Sequence, residues 1–208
     1  MPSRSYHEEH WQQLPAGLEP PDFAVRGAFL AGHLRAGDRV LDLGCGEGRF
    51  AELILRAGAA YVGADVAEEP LRRARELHPG LDLRLLDGEG AWELADASFD
   101  VVWAGEVIEH VADTAGWLSE VRRVLRPGGL LVLSTPAHGR LRMLRLALSR
   151  RALAAHLHPT GEHLRFYTRE SLNELLGQFR FEQIELRSAG GPPGARRLLL
   201  ASAVRARF

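Results

Sequence analysis

Strands and helices that alternate along the chain predict an α/β fold: a seven-stranded, mostly parallel sheet with helices on both faces. Short apolar runs at 40–43, 61–65, 81–86, 99–104 and 130–134 each have the length of a buried strand, and helical stretches separate most of them. A glycine-rich bend joins the first run to the helical stretch after it. Two closing runs, 181–187 and 198–204, are connected by a loop with no helix between, so the last strand is predicted antiparallel, at one edge of the sheet.

Residues 1–21 are polar and punctuated by Pro2, Pro15, Pro20 and Pro21, with Tyr6, Trp11 and Leu14 as a sparse apolar set. They read as an N-terminal arm, loosely docked or folded as a flap over a ligand, ahead of a single domain over 22–208. Asp22 can cap a helix running to about Arg35, with Phe23, Phe29, Leu30 and Leu34 at helical spacing. The stretch Arg39–Phe50, R-V-L-D-L-G-C-G-E-G-R-F, opens as a strand whose only charge past Arg39 is Asp42, then places glycines at 44, 46 and 48. A helix follows, with Phe50, Ala51, Leu53, Ile54 and Leu55 on its apolar side. Strand, glycine bend and helix in this order make the first half of a Rossmann-like unit, where bare backbone at a helix start lets a ligand lie close. The next strand ends at Asp65-Val66, a helix spans Glu68–Leu77, and the third strand ends at Asp87-Gly88. Leu118–Leu125 carries helical periodicity and stops at Arg126-Pro127-Gly128-Gly129 before the fifth strand. An arginine-rich amphipathic stretch over 140–158 lies within a helical lid predicted at 136–165, and Thr168 can cap the helix T-R-E-S-L-N-E-L-L.

Composition limits the functions open to such a fold. The chain has 208 residues, 46% hydrophobic and 25% charged, with a formal net charge of −1, so no overall charge draws it to nucleic acid or a bilayer. All 26 basic residues are arginine. Cys45 is the single cysteine, which excludes an internal disulfide and fits a reducing cytoplasm; inside the glycine bend it reads as a small residue, not a nucleophile. The sequence shows no signal core and no membrane-spanning run, so a cytoplasmic location is expected.

Chemistry concentrates at the strand ends. A carboxylate at Asp65, one βα unit beyond the glycines, can accept from both hydroxyls of a ribose, or can cap the next helix. Asp87 can accept from the exocyclic amine of a purine. In Gly105-Glu-Val-Ile-Glu-His110 a helical turn would put Glu106, Glu109 and His110 on one face, where two carboxylates and an imidazole can hold a divalent cation, with His163 as a further ligand from a loop. His110 can instead act alone as a general base, or these side chains can cap a helix and line a pocket. Between Val121 and Gly161 there is no acidic residue but a run of arginines, including Arg140, Arg142, Arg145, Arg150 and Arg151 beside leucines at helical spacing. That segment suits a basic lid on phosphates, contact with an anionic membrane, or an amphipathic cover over an acceptor pocket.

Taken together, D-x-G-x-G-x-G, Asp65, Asp87, Phe99-Asp100-Val101-Val102 and Leu125–Gly129 resemble class I S-adenosylmethionine-dependent methyltransferases over about residues 22–187. The glycine spacing departs from the G-x-G-x-x-G of nicotinamide dehydrogenases. The resemblance implies S-adenosylmethionine as donor, with Asp42, Gly44, Cys45, Gly46 and Gly48 facing its methionine and ribose. It further implies Asp65 at the ribose hydroxyls, Val66 beside it among the cofactor contacts, Asp87-Gly88 at the adenine, and Gly105 and Glu106 bordering the sulfonium. Arg26 aligns approximately with a residue that pairs the methionine carboxylate in some members. The set Glu106, Glu109, His110 and distant His163 is similar to that of ubiquinone-biosynthesis O-methyltransferases and of enzymes that methylate the 2′-hydroxyl at small-RNA ends. In both, such a set is associated with a metal, here Mg or Zn, near two adjacent hydroxyls, with Glu106 and His110 as catalytic candidates. Three functions follow: methylation of a hydroxyl on a small-molecule acceptor, methylation of an RNA 2′-hydroxyl, or a non-catalytic partner that binds the donor. The sequence does not fix the oligomeric state.

Overall fold

The computed structural model describes residues 4–87, 91–158, 161, 163–192 and 196–207. An N-terminal helix α1 (Arg4–Gln13) and a second helix α2 (Phe23–Ala31) precede β1 (Arg39–Leu43). Then follow α3 (Ala51–Arg56), β2 (Ala60–Asp65), α4 (Glu68–Leu77), β3 (Asp82–Leu85) and β4 (Phe99–Gly105). A 3-10 turn (Ile108–His110), α5 (Thr114–Val124) and β5 (Leu125–Pro136) lead to α6 (Arg140–Ala147) and α7 (Arg150–His156). The chain closes with α8 (Arg169–Gln178), β6 (Phe181–Ala189) and β7 (Leu198–Arg205).

The strands form one seven-stranded sheet in the order β3-β2-β1-β4-β5-β7-β6. The pairs among β1 to β5 are parallel, and β7 runs antiparallel to both β5 and β6. The antiparallel strand therefore lies one place in from the edge, not at the edge the sequence suggested. Side chains explain the order: β7 carries Leu198–Val204, nearly all buried, whereas β6 alternates buried residues with exposed Glu182, Gln183 and Glu185. A charged, half-wet strand is tolerated at an open edge, where it discourages further pairing; an apolar one is not.

Alternation along each strand divides the core between two faces. Leu41, Val102, Leu131 and Leu133 pack with Leu118, Val121 and Val124 of α5 and Leu172 and Leu176 of α8. Val40, Val101, Trp103 and Val132 pack with Phe29 and Leu30 of α2 and with Phe50, Ala51 and Ile54.

Other expectations shift for local reasons. The helix at 22–35 stops at Ala31, and Asp22 makes no cap: its backbone is left-handed (φ 53°), which turns the side chain away from the helix N–H groups. Its carboxylate instead meets Arg197 at 3.1 Å. The stretch over 140–158 is two helices, because the Ser149 hydroxyl accepts from the Ala152 N–H at 3.2 Å and starts a second one. Neither α6 nor α7 buries a residue, and Leu141, Leu144, Leu148 and Leu157 are exposed. Thr168 does cap α8, in a reciprocal capping box with Ser171. Among the described residues, no helix is long and apolar enough to cross a membrane.

Candidate active site

Register brings the predicted residues to one level. Leu43 pairs with Ala64 of β2 and with Ala104 of β4, so Gly44, Asp65 and Gly105 each follow immediately at the carboxyl ends of adjacent parallel strands. This is the edge of an open α/β sheet at which ligands bind.

The glycine bend is tied to β2. Gly44 and Cys45 N–H groups donate to the Ala64 carbonyl at 2.7 and 3.0 Å, and the Gly46 N–H donates to Asp65 Oδ2 at 2.9 Å. The Ala67 N–H donates to Oδ1 at 3.0 Å, so Asp65 links the bend to the start of α4. Gly44 and Gly46 are left-handed (φ +72° and +54°), and contact reinforces that need: a Cβ on Gly44 would stand 2.5 Å from Val107 Cγ2, and one on Gly46 would stand 2.9 Å from the Trp11 ring. Gly48 is also left-handed but has ordinary room.

Beneath the bend, Asp42 is buried and accepts from the Tyr61 hydroxyl at 3.1 Å. Burial pushes its carboxyl up to about 7, with the Tyr61 bond and the Arg26 charge opposing. Burial also raises Asp65 above the usual carboxylate range, and the Ala67 and Gly46 N–H groups hold it down. The buried Cys45 thiol is pushed well up, first by desolvation and then by Asp42 and Asp65, which makes it an inert filler. Val66 is half-buried against the core. Asp87 is exposed, two residues past Leu85, the partner of Asp65 across β3, and Gly88 lies outside the described residues.

Arg26 gathers the charges on the other side. It is buried, lies 5.2 Å from the centroid of Phe50 and 6.0 Å from that of Trp103, and its Nε has no hydrogen bond. Desolvation weakens its hold on its proton, while Glu106, Asp42 and Glu109 strengthen it. The guanidinium also occupies the space a side chain on Gly105 would need.

The expected face of Glu106, Glu109 and His110 does not form as drawn. Glu106 is left-handed (φ 60°), and the turn that follows is 3-10, beginning only at Ile108. The regular helix that would align all three is absent, and Glu106 turns to β5, where its Oε1 accepts from Ser134 Oγ at 2.9 Å. Burial raises Glu106, with Arg26 and the Ser134 hydroxyl opposing. Glu109 is completely buried and accepts from Thr135 Oγ1 at 2.9 Å through Oε2. Its Oε1 makes no hydrogen bond and stands 3.9 Å from His110 Nε2. Burial, helped by Glu106, lifts the Glu109 carboxyl to about 8. The His110 and His163 rings meet edge to face at 4.9 Å. One atom from each of Glu109, His110 and His163 falls within a 4.8 Å group, so the structure gathers three of the four residues predicted for a metal, without Glu106. An unbonded, buried carboxylate oxygen beside two imidazoles fits a cation.

Sequence reasoning missed the hydroxyls of Ser134 and Thr135, which orient the two glutamates; adjacency of β4 and β5 was the signal, since Gly105 pairs with Ser134. It also missed the aromatic bed under Arg26.

Comparison with known proteins agrees with this geometry. The methyltransferase domain family matches residues 20–186. A ubiquinone biosynthesis O-methyltransferase from Ruegeria pomeroyi is 37% identical over 156 residues, spanning 72% of this chain and 62% of that protein. Another, from Parvibaculum lavamentivorans, is 43% identical over 101 residues, spanning 47% and 40%. The chain thus spans about two-fifths to three-fifths of these curated relatives. A solved S-adenosylmethionine-dependent methyltransferase from Mesorhizobium loti shares the fold with a TM-score of 0.66 at 24% identity, over 88% of this chain and 97% of that one. With a glycine bend and Asp65 joined at the carboxyl end of the sheet, and a family match covering most of its length, the chain belongs to the class I S-adenosylmethionine-dependent methyltransferases.

Proposed function

We propose that this protein transfers a methyl group from S-adenosylmethionine to a hydroxyl oxygen of a small-molecule acceptor. The observation that carries the donor half is the Gly46–Asp65 hydrogen bond, which sets a bare-backbone bend and a buried carboxylate side by side at adjacent strand ends. Asp65 has lone pairs beyond its two backbone bonds for ribose hydroxyls, with Val66 next to it as a further cofactor contact. Arg26, desolvated among Asp42, Glu106 and Glu109, pairs the donor's carboxylate, and Glu106 with Gly105 borders the sulfonium. Asp87-Gly88 would meet the adenine. The donor supplies an activated methyl on a good leaving group, so the protein's task is to hold an oxygen in line with it and to remove a proton.

In a metal-free route His110 takes that proton, beside the Glu109 carboxylate that Thr135 holds. A divalent cation such as Mg or Zn, held by Glu109, His110 and His163, would lower the pKa of the acceptor hydroxyl and fix its direction. Names of relatives support oxygen as the acceptor atom. Profiling with labelled donor tests the reading: label should enter phenolic or vicinal hydroxyls, while transfer to amines alone would overturn the oxygen assignment.

A second observation favours peripheral contact with an anionic bilayer. Helices α6 and α7 present exposed Leu141, Leu144, Leu148 and Leu157 among arginines, a composition suited to the headgroup boundary. Exposed leucines in place of stacking aromatics make this face a poor match for RNA.

A further inference from the structure

Helix α1 reaches across the donor edge of the sheet. The Trp11 ring fills the space that a side chain on Gly46 would occupy, in direct contact with the bend. Glu8 receives the Glu68 N–H at 2.8 Å on Oε2 and the Glu69 N–H at 3.1 Å on Oε1, so one carboxylate covers the positive end of α4 directly after Asp65-Val66-Ala67. Arg73 of α4 binds the same segment from below, its Nη2 donating to the Trp11 carbonyl at 2.9 Å and its Nη1 to the Leu14 carbonyl at 3.0 Å. Arg73 is itself buried between Glu47 and Glu69, at 3.2 and 2.7 Å, and Glu47 also accepts from the Gly17 N–H at 2.9 Å.

We propose that α1 is the roof of the donor site, with Trp11 as a donor-contacting residue and Glu8 as a positioning residue that holds it down; this rests on the donor reading given above. These anchors run to α4 and Glu47, beside the cleft, so they hold the helix over the crevice without using up the carboxylate expected to take the ribose. The bend and Asp65 line two sides of the crevice, and the indole, packed on Gly46, closes it along that edge with a flat apolar face toward the nucleoside. Closure over a bound nucleoside slows its departure, and opening requires Glu8 to leave the α4 N-terminus.

Stopped-flow displacement of S-adenosylhomocysteine from the full chain, in wild type, Glu8→Gln and Trp11→Ala, tests this, with circular dichroism confirming that each variant is folded. The roof predicts product release about tenfold faster in both variants with association nearly unchanged, and a raised donor KM at constant acceptor KM. Hydrogen exchange supplies a second measurement: amides of α1 should gain protection when S-adenosylhomocysteine binds. Release rates within twofold of wild type in both folded variants overturn the roof while leaving donor binding intact. Loss of α1 protection on binding also overturns it, since α1 would then be a plug that the ligand displaces. Wild type that binds no donor product sinks the donor reading itself.

Discussion

Thr135 and Glu109 divide the labour of one carboxylate: the Thr135 hydroxyl fixes Oε2 at 2.9 Å, and Oε1 is left without a hydrogen bond, 3.9 Å from His110 Nε2. A wholly buried oxygen without a partner costs about 1–3 kcal/mol, and here it points to service for a proton or a cation. Glu109→Ala and His110→Ala should each reduce turnover by at least about a hundredfold, while affinity for S-adenosylhomocysteine stays within twofold. Metal content of the purified variants and turnover in excess chelator separate the two roles. Full wild-type turnover in chelator removes the cation and leaves His110 as base.

Asp42 predicts a pH effect of definite sign. Its folded value, raised to about 7 from 3.8, means the folded state holds a proton that the unfolded chain releases earlier. Its contribution to stability is therefore greatest below pH 3.8 and declines as pH rises to about 7, then levels. Asp42→Asn should remove that slope, so the variant gains on wild type by up to roughly 1.4 kcal/mol per pH unit across this window. Urea denaturation of both proteins between pH 5 and 8 checks it; parallel curves contradict it.

Gly44→Ala meets two obstacles, a left-handed backbone and the Val107 methyl at 2.5 Å. The combined cost should be about 2–4 kcal/mol of stability, with donor affinity falling in parallel as the bend shifts. Thermal denaturation with and without S-adenosylhomocysteine measures both, and Gly37→Ala, left-handed with no neighbour within 4 Å, is the control for backbone strain alone.

Arg26 is a buried cation with Asp42, Glu106 and Glu109 about it. Arg26→Leu leaves these acids uncompensated and should raise their proton affinities and weaken donor binding by more than about tenfold. Arg26→Lys should not restore it, because an ammonium cannot spread over the Phe50 and Trp103 rings as a planar guanidinium does. Titration calorimetry at pH 6 and 8 reports the affinities.

Binding of α6 and α7 to a bilayer would be electrostatic as well as apolar. Vesicles containing anionic lipid should sediment the protein at low salt, with release at about 0.5 M salt and loss in Arg145→Glu/Arg150→Glu. Equal binding to neutral vesicles contradicts the role of the arginines.

The sheet was legible because strand length and glycine spacing are local signals, and Gly44, Asp65 and Gly105 fall level by register alone. Arg126-Pro127-Gly128-Gly129, read as a break before the fifth strand, instead lies inside β5, which already pairs with β4 at Leu125 and takes up a register shift there. The place of β7 was not, since a loop of any path can join β6 and β7, and only the apolar content of Leu198–Val204 sends it inside. Glu106 was misplaced on a helical face because a single left-handed residue ends the 3.6-residue period, and no glycine or asparagine marked it. The contact of Trp11 with Gly46 joins segments far apart in the chain, which no local pattern encodes.

The most direct test of the donor site is calorimetric titration of the folded chain with S-adenosylhomocysteine, beside Asp65→Asn. One-site binding that weakens at least about tenfold in Asp65→Asn is the predicted result. A folded wild-type protein that gives no heat and no thermal stabilisation with either S-adenosylmethionine or S-adenosylhomocysteine would contradict it.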